Sequence, residues 1–163
     1  MIISLIVAIG KNNEIGKDNG MLVHLPADLK HFREKTTGHT VVMGRKTFDS
    51  LPKGPLPNRK NIVISRNQDL NIDGAFVYPS IDYALLKVMD EEEVFIMGGA
   101  EIYRQTIKDA DKLYLTKIYA EFPDADTFFP EINYNDWQIV SQEFFAPDEK
   151  NPFGYSFLEL ERI

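Results

Sequence analysis

The chain has 163 residues, enough for one domain with a sizeable core. Acidic residues outnumber basic ones by 25 to 18, a formal net charge of −7, the opposite of the balance that marks a nucleic-acid binder. Apolar residues at 44% exclude disorder, and the lack of cysteine excludes disulfides, thiolate nucleophiles and cysteine metal sites.

Ile2 to Ile9 is an apolar run broken only by Ser4. It is too short to span a bilayer. With no basic lead and no small-residue cleavage site, it reads as a buried strand rather than a signal peptide, and a cytoplasmic location follows as the expectation. A long loop comes next, with turn signals at Lys11-Asn12-Asn13 and Lys17-Asp18-Asn19-Gly20. Pro26 suits the first position of a helix that runs to about Lys35, with Asp28 in its first turn and Leu29, Phe32 and Arg33 on one face. Thr40 to Met43 reads as a strand, Arg45 to Leu51 as a short helix, and Pro52 to Arg59, with three prolines and a glycine, as a rigid turn. Strands follow at Lys60 to Ser65 and Ala75 to Tyr78, then a helix from Ile81 to Met89 with Leu85 and Val88 inward. Val94 to Met97 is a strand ending in Gly98-Gly99, Ala100 to Ile107 a helix, and Leu113 to Ala120 a long strand. Trp137 to Phe145 and Phe153 to Leu160 pair as an antiparallel hairpin with a long loop. The pattern predicts a single α/β domain over the whole chain: a mostly parallel central sheet of about eight strands, an antiparallel C-terminal edge hairpin, and helices on both faces.

Three segments could hold a phosphate. Gly44-Arg45-Lys46-Thr47 follows a strand and opens a helix, where free N–H groups and the helix dipole suit an anion. It lacks the spacing of a P-loop, and taken alone it reads more simply as a solvated helix start. Gly98-Gly99-Ala100 also joins a strand to a helix; two glycines allow close backbone approach, but a tight turn explains them equally well. Ser65-Arg66 ends a third strand. All three lie at carboxyl ends of strands, where ligands of open α/β sheets bind. Asp28 alone reads as an ordinary helix-start acid; among Leu25, Leu29 and Phe32 it could also be a partly buried carboxylate with a raised pKa. His24, His31 and His39 lack metal-site spacing, and His31 reads as exposed. Phe128, Phe129, Trp137, Phe144, Phe145, Phe153 and Phe157 read as core. No serine-hydrolase pattern appears.

Read together, these segments resemble bacterial chromosomal dihydrofolate reductases. The resemblance runs through Ile15-Gly16-Lys17-Asp18-Asn19, Leu25-Pro26-Ala27-Asp28-Leu29, Val42 to Phe48, Pro55-Leu56-Pro57-Asn58-Arg59, Asn61 to Arg66, Ile96 to Tyr103, Leu113 to Thr116 and Asp126 to Pro130, in that order. It implies reduction of dihydrofolate by hydride transfer from NADPH to carbon 6 of the pterin. Asp28 would bind the pterin, supported by Thr116. Ile6, Val7, Leu29, Phe32, Leu51, Leu56 and Met97 would line the substrate pocket, with Tyr103 beside the nicotinamide and Arg59 on the glutamate carboxylate. Arg45, Lys46, Ser65 and Arg66 would hold the 2′-phosphate of NADPH. Gly44, Thr47, Gly98, Gly99, Ala100, Glu101 and Ile102 would contact the pyrophosphate region, with a cis peptide between the glycines, and Ala8, Ile15 and Gly16 would complete the cofactor set. The loop from Gly10 to His24 would be a mobile lid. Antifolate inhibitors would bind the same pocket; nucleic acid and membrane are not expected partners, and a monomer is expected.

The chain departs from that pattern at Leu22 and Val23, where the family usually has proline and tryptophan. Val23 lacks the indole N–H that would bind a pocket water. Two other readings share parts of the sequence: an NADPH-dependent reductase of riboflavin synthesis, and a nucleotide-binding module without catalysis. Asp28, Thr116 and Arg59 together weigh against the first.

Overall fold

The computed structural model describes residues 1–17 and 20–163; the predicted turn residues Asp18 and Asn19 lie outside the described residues. Its centre is an eight-stranded sheet of β1 (Ile2–Ile9), β3 (Thr40–Gly44), β4 (Lys60–Ile64), β5 (Ala75–Tyr78), β6 (Glu93–Ile96), β7 (Lys112–Ile118), β9 (Trp137–Phe145) and β10 (Tyr155–Arg162), with β2 (Glu14–Gly16) and β8 (Thr127–Phe128) outside it. The strand order is β5-β4-β3-β6-β1-β7-β10-β9. Neighbours from β5 to β7 pair in parallel, and β7-β10 and β10-β9 pair antiparallel, as the alternation of strands and helices followed by consecutive strands predicts. A β-bulge interrupts the last pair between Glu159 and Leu160.

Both faces of the sheet are packed, and side-chain alternation divides the core between them. Leu5, Val42, Ile62, Val94, Ile96, Leu113 and Leu115 pack on one face with Ile81, Ala84 and Val88 around helix α3 (Ile81–Lys87) and Ile102 and Tyr103 of α4 (Ala100–Thr106). Ile6, Val41, Met43, Val63, Phe95 and Tyr114 point to the other face, against Phe32 of α1 (Pro26–Thr36) and Phe48 of α2 (Arg45–Asp49). Adjacent residues of one strand thus enter different clusters, which is why the strands read as continuous apolar runs. Full burial of Met43 or Phe95 contributes about 2 kcal/mol each.

The helices start where the sequence indicates. Pro26 occupies the first turn of α1, and Ser80 caps α3 by accepting from Tyr83 N–H at 3.1 Å. Two helices end early. The turn after α2 closes with Ser50 N–H bonded to Lys46 and Thr47 carbonyls, so Leu51 lies outside it. Val88, at φ −123°, ends α3 before the predicted Met89.

Three sequence expectations are corrected. The Gly10–His24 stretch is not wholly loop: β2 (Glu14–Gly16) pairs with β8 (Thr127–Phe128) as a separate two-stranded sheet. Phe128 and Phe144 are 48% and 62% exposed rather than core, because Phe128 lies in that small outer sheet and Phe144 on the edge strand β9. His31 is half-buried, stacked on Phe157 at a centroid distance of 3.9 Å, and burial lowers its pKa. Among the described residues no helix is long and apolar enough to cross a membrane, and no group of three or more His, Cys, Asp or Glu residues could hold a metal ion.

Candidate active site

Asp28 sits in the first turn of α1 and faces β7, an interior strand of the sheet. The Thr116 hydroxyl donates to its carboxylate at 2.6 Å. Thr116 is buried and, two residues on from Tyr114, points to the same sheet face. Burial raises the Asp28 pKa and the Thr116 hydrogen bond partly offsets it. The Asp28 charge reaches Tyr103, whose pKa is raised first by its own burial and then by that charge.

Most, not all, of the predicted substrate residues share one side of the core. Ile6, Phe32, Leu51, Leu56 and Met97 belong to one apolar cluster. Val7, its side chain turned the other way along β1, packs with the opposite cluster. Leu29 is 38% exposed on the outer side of α1. Arg59 is fixed near the C-terminal end of α1: Nε donates to the Pro57 carbonyl at 2.9 Å, Nη1 donates to the buried Thr36 hydroxyl at 3.1 Å, and the guanidinium lies 5.9 Å from the Phe32 ring centre. A guanidinium held on one side offers its remaining N–H groups to a carboxylate.

The glycine segments converge on the carboxyl ends of the parallel strands. Gly44 N–H donates to the Gly98 carbonyl at 2.9 Å, and Met97 N–H to the Val42 carbonyl at 2.9 Å. The Gly98-Gly99 peptide is cis, as expected, and Gly98 has φ +126°, a backbone conformation that side chains rarely adopt. A Cβ on Gly99 would stand 3.3 Å from the Thr47 hydroxyl, and one on Gly44 would stand 3.3 Å from Ile102. These glycines therefore let two strand ends and the starts of α2 and α4 come within backbone contact. Ala100 and Glu101 open α4, Glu101 exposed and paired with Arg104. Tyr103 is buried and donates to the Ile6 carbonyl at 2.7 Å, joining α4 to β1.

Parallel register sets Gly44 beside Ile64, so Arg45 and Ser65 leave the sheet side by side. Lys46 and Arg66 are exposed next to them. Arg45 is already engaged: its Nε reaches both Asp49 carboxylate oxygens at 3.0 and 3.1 Å. The Ser65 hydroxyl accepts from Asn67 N–H at 3.2 Å within an exposed turn. Ala8 lies opposite Thr116 in β1–β7 register. Ile15 packs against the α3–α4 core cluster, and Gly16, in β2, accepts from Asp126 N–H at 3.0 Å. Val23 is half-buried in a bend just before α1.

Glu14 and Asn151, both buried, stand outside every sequence motif described above. Glu14 is 2% exposed; one carboxylate oxygen accepts from Asn12 N–H at 2.5 Å and the other from Phe122 N–H at 2.6 Å. Asn151 is 5% exposed, in the β9–β10 loop, and accepts from Ala27 N–H at 3.1 Å. Nothing local marks Glu14. Asn151 carries a weak signal, Asp148-Glu149-Lys150-Asn151, in which an aspartate can close a turn on the residues after it.

A family model described as dihydrofolate reductase matches residues 2–162. The chain is 49% identical over 162 residues to a dihydrofolate reductase of Haemophilus influenzae, covering 99% of both chains. It is 45% identical over 161 residues to one of Bacillus subtilis, covering 99% of this chain and 95% of the other. Among solved structures it is similar to a dihydrofolate reductase from Enterococcus faecalis complexed with NADP(H) and RAB-propyl, at TM-score 0.92 and 36% identity, covering 99% and 96% of the two chains.

Proposed function

The chain belongs to the dihydrofolate reductase family, and from that we propose that it reduces 7,8-dihydrofolate to 5,6,7,8-tetrahydrofolate with NADPH, hydride passing to carbon 6 of the pterin. The observation that carries the reading is the Asp28 carboxylate, desolvated by burial and held by the Thr116 hydroxyl at 2.6 Å. Such a carboxylate accepts hydrogen bonds from the amino group and ring nitrogen of a pterin and holds the ring flat against Ile6 and Phe32. Its charge polarises the bound ring. The proton for nitrogen 5 comes from water rather than from Asp28, which meets the other side of the pterin. Arg59 takes the carboxylate of the glutamate tail, with Leu51 and Leu56 along the chain between them.

The strand ends fit a dinucleotide. Backbone without side chains at Gly44, Gly98 and Gly99, beside the Thr47 hydroxyl, suits close approach of a pyrophosphate. Arg45, Lys46, Ser65 and Arg66 supply the charge and hydroxyl that a 2′-phosphate needs, which supports NADPH over NADH. NADPH, when bound, supplies the hydride. The described residues of the stretch from Gly10 to His24, 10–17 and 20–24, act as a lid that keeps bulk water from the site.

The test follows absorbance at the NADPH band when dihydrofolate is added, for the intact chain and for Asp28→Asn. Turnover by the intact chain and a fall in kcat/KM of about a hundredfold or more in the variant is expected, the size of losing two charge-assisted hydrogen bonds in a half-buried site. NADPH binding without turnover of dihydrofolate, or turnover of a ribosylamino-pyrimidine phosphate instead, would overturn the reading.

A further inference from the structure

Helix α1, which carries Asp28, does not cap itself. Its N-cap residue is Leu25, which has no side-chain acceptor, and Pro26 has no N–H. Asp28 N–H bonds back to the Leu25 carbonyl at 3.0 Å. The donor left over in the first turn, Ala27 N–H, is taken by Asn151 Oδ1 at 3.1 Å, from a loop 124 residues further along the chain. Asn151 is itself fixed. Asp148 Oδ1 accepts from the Asn151 N–H at 2.7 Å, from the Lys150 N–H at 2.9 Å and from Asn151 Nδ2 at 3.1 Å.

We propose that Asn151 is a positioning residue for the substrate site: by capping α1 from the C-terminal hairpin it fixes the first helical turn, and with it the place of the Asp28 carboxylate. The proposal rests on the reading of Asp28 as the pterin-binding acid. Two further ties run along the same side of the helix. Asp28 meets Thr116 of β7, and His31 stacks on Phe157 of β10. Phe157 lies directly opposite Thr116 in the β7–β10 register. Ala27, Asp28 and His31 are thus all held by the hairpin or by the strand it pairs with, and a shift of the hairpin would carry the acid with it. The residues assigned to NADPH lie mostly at the ends of β3, β4 and β6, away from these ties. A purely structural cap and a positioning residue therefore differ in what they change: the first lowers stability, the second also weakens one ligand and not the other.

The experiment uses Asn151→Ala in the full chain. Its readouts are the KM for dihydrofolate, the Kd for NADPH and the hydrogen exchange of the Ala27 amide. The KM for dihydrofolate is expected to rise about 3- to 30-fold, the span of an N-cap loss, with NADPH binding unchanged and Ala27 exchange accelerated. Unchanged Ala27 exchange overturns the proposal whatever the activity. Faster exchange with an unchanged KM reduces Asn151 to a structural cap, and equal weakening of both ligands means general loosening; either result also overturns it. Should Asn151→Ala not fold, Asp148→Ala at an exposed position releases the Asn151 amide instead. It is expected to shift the same KM in the same direction by about threefold, and no shift would count against the proposal. An intact chain that binds NADPH but leaves dihydrofolate unreduced would fail the functional reading, separately from the cap, which the amide exchange still decides.

Discussion

Two effects oppose each other at Asp28. Burial favours its neutral form, and the Thr116 hydroxyl favours the charged one, with burial the larger. An acid whose folded pKa is raised contributes stability that is fully present below its unfolded value of 3.8 and lost as pH rises through the folded value. Asp28→Asn removes that loss. Its thermal midpoint is expected to exceed the parent's at neutral pH, and the gap to close as pH falls through the carboxylate range; melting curves across pH check both ends. Thr116→Val acts in the other direction, since it deletes the donor that lowers the pKa while keeping the volume. The acid limb of the kcat/KM profile is expected to move to higher pH, with a fall of about tenfold or more at neutral pH, the size of a hydrogen bond to a charged group. At this scale the sequence was only partly legible. Asp28 stands where any helix favours an acid, and its hydrogen-bond partner Thr116 lies 88 residues away. Only the resemblance linked the two residues. Glu14 stayed invisible because its partners are backbone N–H groups, which leave no mark in a sequence, and the turn signal at Asp148 to Asn151 does not reveal that Asn151 reaches the Ala27 N–H.

Elements with strong periodicity were readable to within a few residues, and the exceptions have physical causes. β2 and β8 have three and two residues, too few to show alternation. What holds them near the site is Glu14, whose carboxylate bonds backbone N–H groups of the β1–β2 turn and of the connection after β7. Close packing reinforces the junction: a Cβ on Gly10 would lie 2.8 Å from the Phe122 ring and 2.9 Å from a Glu14 oxygen. Glu14→Gln keeps the shape but turns an NH₂ group toward one of those donors. A loss of about 2 kcal/mol in urea unfolding is expected, the cost of a buried unsatisfied pair. A variant as stable as the parent would mean that water replaces the bond.

Over the whole molecule, charge is distributed against the mean. A chain of net charge −7 presents Arg45, Lys46 and Arg66 together at the carboxyl edge of β3 and β4, because parallel register aligns those two strand ends. If that edge holds the 2′-phosphate, screening should act on one cofactor and not the other. Raising salt from low to about 0.5 M is expected to raise the KM for NADPH severalfold and to leave the KM for NADH nearly unchanged. Equal salt effects on both would remove the phosphate role from this edge. Sheet class and the antiparallel hairpin were legible from the alternation of elements. Strand order was not: β1 pairs with residues about 90 and 108 positions away, and no local pattern encodes such partners.

That central place of β1 has a consequence for synthesis. Ile2–Ile9 leaves the ribosome well before its two sheet neighbours, Glu93–Ile96 and Lys112–Ile118. At typical elongation rates the apolar segment waits roughly 5 to 20 s before either neighbour exists. Asn151 and β10 emerge later still. The nascent chain therefore carries this apolar strand without its sheet neighbours for that interval, in which holding chaperones and aggregation compete for it.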